Sequence, residues 1–150
     1  MQQEFPIIPV PLSTAWPLLL GAVIMLLLAG FFVFLSYSVG RETFQLSAGG
    51  LSIGGSIYGR TIPAASLVPE QARPIDLTMD PGYSLRSRRN GTGLPGYHSG
   101  WFNTDNGKAL VFVTDKHRVA AIPTRDGYTV LLSVADPQEF VRVLKSTVKP

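Results

Sequence analysis

The residues of this 150-residue chain whose types and spacing suggest chemistry gather between Arg86 and Phe102. Arg86, Arg88 and Arg89 concentrate guanidinium charge, and Gly91, Gly93 and Gly96 follow at the G-x-G-x-x-G spacing of a dinucleotide cradle. His98, Ser99 and Asp105 add the residue types of a hydrolytic triad. A phosphate cradle needs an apolar strand before its glycines and a helix opening inside them, because the helix N-terminus receives the pyrophosphate. Here RSRRN precedes the glycines, Pro95 interrupts them and the strand-like YHSGWF follows. Gly91, Gly93 and Gly96 are therefore expected to shape a tight turn, supplying left-handed or closely packed backbone. Gly100, just before Trp101, marks either a bulge or a place where a large indole crosses a neighbouring strand.

The remaining chemistry is sparse. No nucleophile elbow or oxyanion loop accompanies Ser99, His98 and Asp105. His98 and His117 lack metal-ligand spacing, and Asp105-Asn106-Gly107 and Asp126-Gly127 read as turns rather than calcium loops. With no cysteine, thiolate metal sites, Cys nucleophiles and disulfides are excluded. The excess of 13 Lys and Arg over 10 Asp and Glu is too small to indicate nucleic acid. No enzyme, cofactor or metal is expected. Arg60, Arg86, Arg88 and Arg89 remain as candidates for a partner or lipid surface, since extended backbone puts Arg86 and Arg88 on one face and sends Arg89 to the other or into the loop. The alternative for these arginines is a solvated strand flank.

The elements that must position these residues start with an apolar run. No charged residue lies between Glu4 and Arg41, and LLLGAVIMLLLAGFFVFL fills Leu18 to Leu35. The length suits a membrane helix over 16–38, with Trp16 and Tyr37 near its ends and Pro17 in its first turn. A cleaved signal would have a basic start and a shorter apolar stretch. Residues 1–15 form an N-terminal tail, and Arg41 after the span favours a cytoplasmic domain at the cell membrane by the positive-inside rule. Gly21 and Gly30 do not have dimer-motif spacing, and the oligomeric state is left open.

Beyond the anchor, short runs bounded by turn residues predict strands. Thr43 to Ser47 and Leu51 to Tyr58 flank a Gly49-Gly50 turn, the second bending at Gly54-Gly55. Leu67-Val68, Ala72 to Met79 and Tyr83 to Arg88 follow, the last two split by Asp80-Pro81-Gly82. Tyr97 to Phe102, Ala109 to Thr114, Arg118 to Ile122 and Tyr128 to Ser133 then recur at roughly ten-residue intervals, with Trp101, Phe102, Phe112, Tyr97 and Tyr128 as core aromatics. No helical crossover separates them, which argues an antiparallel meander curling into a barrel or sandwich. Asp136-Pro137-Gln138-Glu139 opens a helix of about three turns with a potential capping box, its apolar face carrying Phe140, Val141, Leu144 and Val148. The fold class is mainly β, a partly open antiparallel barrel closed by a C-terminal helix and preceded by one transmembrane helix.

The segments RSRRNGTGLPGYHSGWFNTDNGKALVFVTD and VAAIPTRDGYTVLLSVADPQEF, with Ser133 and Asp136-Pro137 leading to Phe140, resemble the bacterial pleckstrin-homology (PH) domains of small membrane proteins. The resemblance covers 43–148. It implies a seven-stranded, partly open barrel with a capping helix, and a scaffold whose partners vary. Eukaryotic PH domains that hold phosphoinositides place basic residues around the first loop, whereas here that loop is SAGGLS and Arg60 comes after the second strand. The expected function is thus a membrane-anchored interaction module for a membrane or envelope protein or peptide. Anionic lipid bound by Arg86, Arg88 and Arg89 is the alternative, and a small-molecule or enzymatic domain a more remote one.

Overall fold

The computed structural model describes residues 3, 6, 8, 9, 11–38 and 41–149. The chain divides into two units, Met1–Val39 and Gly40–Pro150. The first contains a short 3-10 turn, Leu12–Thr14, and the helix α1, Trp16–Ser38. At a rise of about 1.5 Å per residue α1 is about 35 Å long, and its leucines, phenylalanines and valines are exposed around its whole circumference. Ser36 returns its hydroxyl to the Phe32 carbonyl at 2.9 Å, so this polar group is satisfied within the helix. Among the described residues this is the one helix long and apolar enough to cross a bilayer.

The second unit is built from short strands and one helix. A three-stranded sheet has the order β1 (Thr43–Ser47), β2 (Gly50–Gly54), β3 (Thr61–Pro63). A six-stranded sheet contains β4 (Arg73–Ile75), β5 (Ser87–Leu94), β6 (Tyr97–Thr104), β7 (Gly107–Val113), β8 (Val119–Pro123) and β9 (Tyr128–Ser133), in the spatial order β4-β8-β9-β7-β6-β5. Helix α2 follows at Pro137–Thr147. Neither sheet closes, so the unit is a partly open barrel, with nine short strands among the described residues rather than the seven that the resemblance implies. The expectation of a wholly antiparallel arrangement is corrected at one pair, because β7 and β9 run parallel. The intervening crossover is itself a strand: β8 pairs antiparallel with β9, which returns between β8 and β7. A parallel neighbour thus arises without the helical crossover whose absence argued against it.

This arrangement buries the middle of the large sheet on both faces, so β7, β8 and β9 read as continuous apolar runs. On one face Leu110, Phe112, Ile122 and Leu132 pack with Leu51 and Ile62 of the small sheet and with Val141 and Leu144 of α2. On the other, Val111, Val119 and Leu131 meet Leu77, Tyr83 and Phe102. The segment between β4 and β5 supplies Leu77 and Tyr83, covering a face that would otherwise be wet. That segment was expected to be strand over Ala72 to Met79 and Tyr83 to Arg88. It departs because Asp76 accepts from the Thr78 N–H at 2.8 Å, an Asx turn that ends β4, and because Pro81–Tyr83 is a 3-10 turn. The hairpin turn of the small sheet lies at Ala48-Gly49, and Gly50, at φ 135°, opens β2. Leu67 makes an isolated bridge to Thr124.

The start of α2 follows its signature in part. Asp136 accepts from the Glu139 N–H at 3.0 Å with Pro137 in the first turn. The Glu139 carboxylate turns away to grip Arg142 through two bonds of 2.8 and 2.6 Å, so the reciprocal half of the expected capping box is not made. Val141, Leu144 and Val148 are buried and Phe140 half-buried, while Arg142, Lys145 and Lys149 face solvent.

The Asx turn also carries a pH dependence. His117 Nδ1 lies 2.9 Å from Asp76 Oδ2. Hydrogen bonds from Thr78 and then His117 bring the Asp76 carboxyl down to about 2, and the same Asp76 bond raises the imidazole above its ordinary 6.5. The imidazole's contribution is complete below 6.5 and lost as pH rises through its raised value, whereas the carboxylate's is complete above 3.8 and lost as pH falls toward about 2. NMR titration of the His117 ring protons should give a midpoint above 6.5 that drops in Asp76→Asn. An unchanged midpoint in the variant would remove the pair from this account.

Candidate interaction site

β5 and β6 form a hairpin closed at Pro95-Gly96, where Gly96 takes φ 75°. Of the three spaced glycines only Gly96 belongs to the turn; Gly91 and Gly93 lie inside β5, correcting the expectation of a loop. Register explains their positions. Arg88 stands opposite Phe102, Gly91 opposite Gly100 and Gly93 opposite His98. At Gly91 a Cβ would come within 2.5 Å of the Ser99 carbonyl oxygen, so the strands can approach here only without a side chain. At Gly93 a Cβ would have ordinary contacts, 3.8 Å to His98 Cδ2 and 3.9 Å to Phe102 Cζ. The glycine there leaves bare the sheet face that Phe102 and His98 form.

An open depression of about 460 Å³ results. Buried Phe102 and half-buried His98 and Leu85 line its floor, Leu94 stands at the hairpin end, and Arg86, Arg88 and Lys116 bring positive charge. Arg86 Nε donates to Asp105 Oδ1 at 2.7 Å, which steadies the guanidinium and strengthens its hold on its proton. A guanidinium has five N–H donors, so this bond leaves others available. Burial, and secondarily the charge of Lys116, lowers the His98 imidazole below its ordinary value. At neutral pH it is therefore an uncharged ring, tilted against Phe102 at a centroid distance of 5.9 Å.

The four arginines singled out from sequence divide into three environments. Arg86 and Arg88 border this depression. Arg89 is the extra residue of a β-bulge, since the register passes directly from Arg88 to Asn90. Arg60 belongs elsewhere, 5.0 Å above the Trp101 ring, with the Lys108 amine 4.2 Å from the same ring and Tyr128 edge-on at 5.0 Å. Trp101 and Phe102 are consecutive strand residues and pack with opposite cores, so Arg60 and Arg86 serve opposite faces of the sheet. At Gly100, φ 114°, an added Cβ would lie 3.2 Å from Tyr58 Cδ2, so a phenol ring rather than an indole borders this position, and the bulge lies on the facing strand.

Sequence reasoning missed Lys116 and His98 as parts of this surface. His98 was accessible to it, because β alternation puts His98 beside Phe102 on one face. Lys116 was not, since it arrives from the turn between β7 and β8. The triad types separate: the Ser99 and Ser56 hydroxyls are 3.0 Å apart, and Asp105 holds Arg86. Among the described residues no group of His, Asp and Glu could hold a metal ion.

No curated protein and no solved structure matches the chain. The family described as Bacterial PH domain matches residues 43–148. The mixed six-stranded sheet, the capping helix at Pro137–Thr147 and this match agree on a PH-like module, and the chain belongs to the bacterial PH domain family.

Proposed function

We propose that this protein is a membrane-anchored interaction module, with α1 as a single transmembrane span and the PH domain in the cytoplasm, that docks a protein partner at the β5–β6 hairpin. The observation that carries the reading is the depression itself: an apolar floor of Phe102 and Leu85 beside Arg86, Arg88 and Lys116. Apolar area provides affinity, and the charges select an acidic counterpart and orient it. Anionic lipid headgroups are the competing ligand, with each basic residue near an anionic surface worth about 1 kcal/mol.

A photo-crosslinker at Leu94, 49% exposed, separates the two in intact membranes. The expected result is a discrete protein adduct that disappears in Arg86→Ala/Arg88→Ala and is not formed from a crosslinker at Glu70, exposed in the 3-10 turn Pro69–Gln71 outside the depression. Adducts confined to lipid would transfer the site to headgroups, and failure to obtain a reproducible adduct would count against docking at this hairpin.

A further inference from the structure

We infer that the partner enters as an extended acidic strand added to the free edge of β5, with acidic side chains beside Arg86 and Arg88 and a large apolar side chain over Gly93. This rests on the proposal that the hairpin docks a protein, and specifies the chemistry and mode of docking.

β5 is the last strand of its sheet, and among the described residues no strand pairs with its outer side. Seven of its eight residues are exposed, Gly91 being half-buried. Such an edge presents unpaired backbone N–H and C=O groups, which another extended chain can satisfy and a lipid headgroup cannot satisfy in register. A second copy of the same edge is disfavoured, because it would set two arginine-rich strands together with no acidic residue in either, and the bulge at Arg89 twists the strand locally. An acidic strand meets the same charges with the opposite sign.

The side-chain pattern of the incoming strand follows from the depression. Alternate residues lie about 6.8 Å apart on one face. Those on the depression side pass Arg86 and Arg88, then the closely packed Gly91 and the vacancy at Gly93. Glycine on an edge strand leaves space that a large cross-strand neighbour can cover. Here that neighbour would lie on Phe102 and on the His98 ring, which burial keeps uncharged at neutral pH. Residues on the other side would meet the Asn90 flank, where Tyr58 donates to Asn90 Oδ1 at 3.2 Å.

The test uses the full chain in phosphatidylcholine nanodiscs and a labelled, capped thirteen-residue peptide. Threonine fills its odd positions, and phenylalanine, serine, glutamate, glutamate, serine and phenylalanine fill the even ones, so that with the glutamates beside Arg86 and Arg88 a serine passes Gly91 and a phenylalanine covers Gly93. The palindrome allows either strand direction. Fluorescence anisotropy should detect binding that weakens at least tenfold in three situations: when lysine replaces glutamate, when alternate backbone amides are N-methylated, and in Gly93→Val. The last adds a side chain where a Cβ meets no backbone, so the protein stays folded, as circular dichroism would verify. Arg88→Ala provides a second folded variant with the same expected loss. Equal binding of the acidic and lysine peptides, indifference to N-methylation or to Gly93→Val, or no binding of the acidic peptide at millimolar concentration would each overturn the inference. So would displacement of the peptide by phosphatidylglycerol discs through the same residues, which would give the groove to lipid. A protein adduct at Leu94 in membranes combined with failure of the peptide would leave protein docking standing and remove only the acidic-strand mode.

Discussion

Phe112→Ala is expected to destabilise the folded domain by about 3–5 kcal/mol, the range for a large aromatic truncated in a packed core. Phe112 is 2% exposed and lies in the central strand β7. Its ring packs against Phe44 of β1 at a centroid distance of 6.4 Å, and its cluster includes Leu132, Ile62 and Leu144. It thus joins the large sheet, the small sheet and α2, three elements that an open barrel does not tie together through a closed hydrogen-bond ladder. The neighbours belong to different strands and a helix, so they cannot all relax into one cavity. Since small domains have stabilities of about 5–15 kcal/mol, a large part of the total is involved. Urea unfolding of the full chain in mild detergent, followed by the β-sheet circular dichroism signal, should show a midpoint shift with little change in slope. A loss under 1 kcal/mol would mean that the two sheets are held together by something other than this core.

Gly100→Ala should be the most damaging single methyl group in the hairpin, at about 2–3 kcal/mol. The residue takes φ 114°, which L side chains rarely adopt. Its Cβ would fall 2.5 Å from Gly91 Cα and 2.6 Å from the Asn90 carbonyl oxygen, both backbone atoms that cannot rotate away. Among the described residues β6 is the one strand that pairs with β5, so spreading this pair loosens the entire edge. Gly93→Ala is the internal comparison: same strand pair, nearest contacts of 3.8 and 3.9 Å, and an expected change within about 1 kcal/mol. Hydrogen exchange of the β5 and β6 amides should accelerate in Gly100→Ala and stay near wild type in Gly93→Ala. Equal effects of the two substitutions would show that backbone approach at Gly100 is not limiting.

Local signals made much of the fold legible before any tertiary information. Tyr128 to Ser133 was expected as strand and is β9 to the residue, and Asp136-Pro137 places the start of α2. Residues 72–88 were misread because two strand-like apolar stretches there serve as a cover. An apolar residue in an Asx or 3-10 turn carries the same side chain as one in a strand, and only the existence of a second sheet face requiring burial distinguishes them. The candidate site was legible to a similar depth. Arg86 and Arg88 share a face as period-two alternation requires, but nothing local announced that Arg89 would bulge or that Lys116 would arrive from another turn.

By itself the sequence determined an apolar helix followed by a β domain, the absence of thiol chemistry, and the failure of the glycine spacing as a phosphate cradle. Each of these depends on residues close together in the chain. Tertiary structure alone decided the parallel β7–β9 neighbours, the two-sided core and the meaning of Gly91 and Gly93. A missing side chain has no location until another strand lies opposite it. Once Gly91 faces Gly100 and Gly93 faces His98, one glycine permits close backbone approach and the other opens a basic, apolar-floored groove.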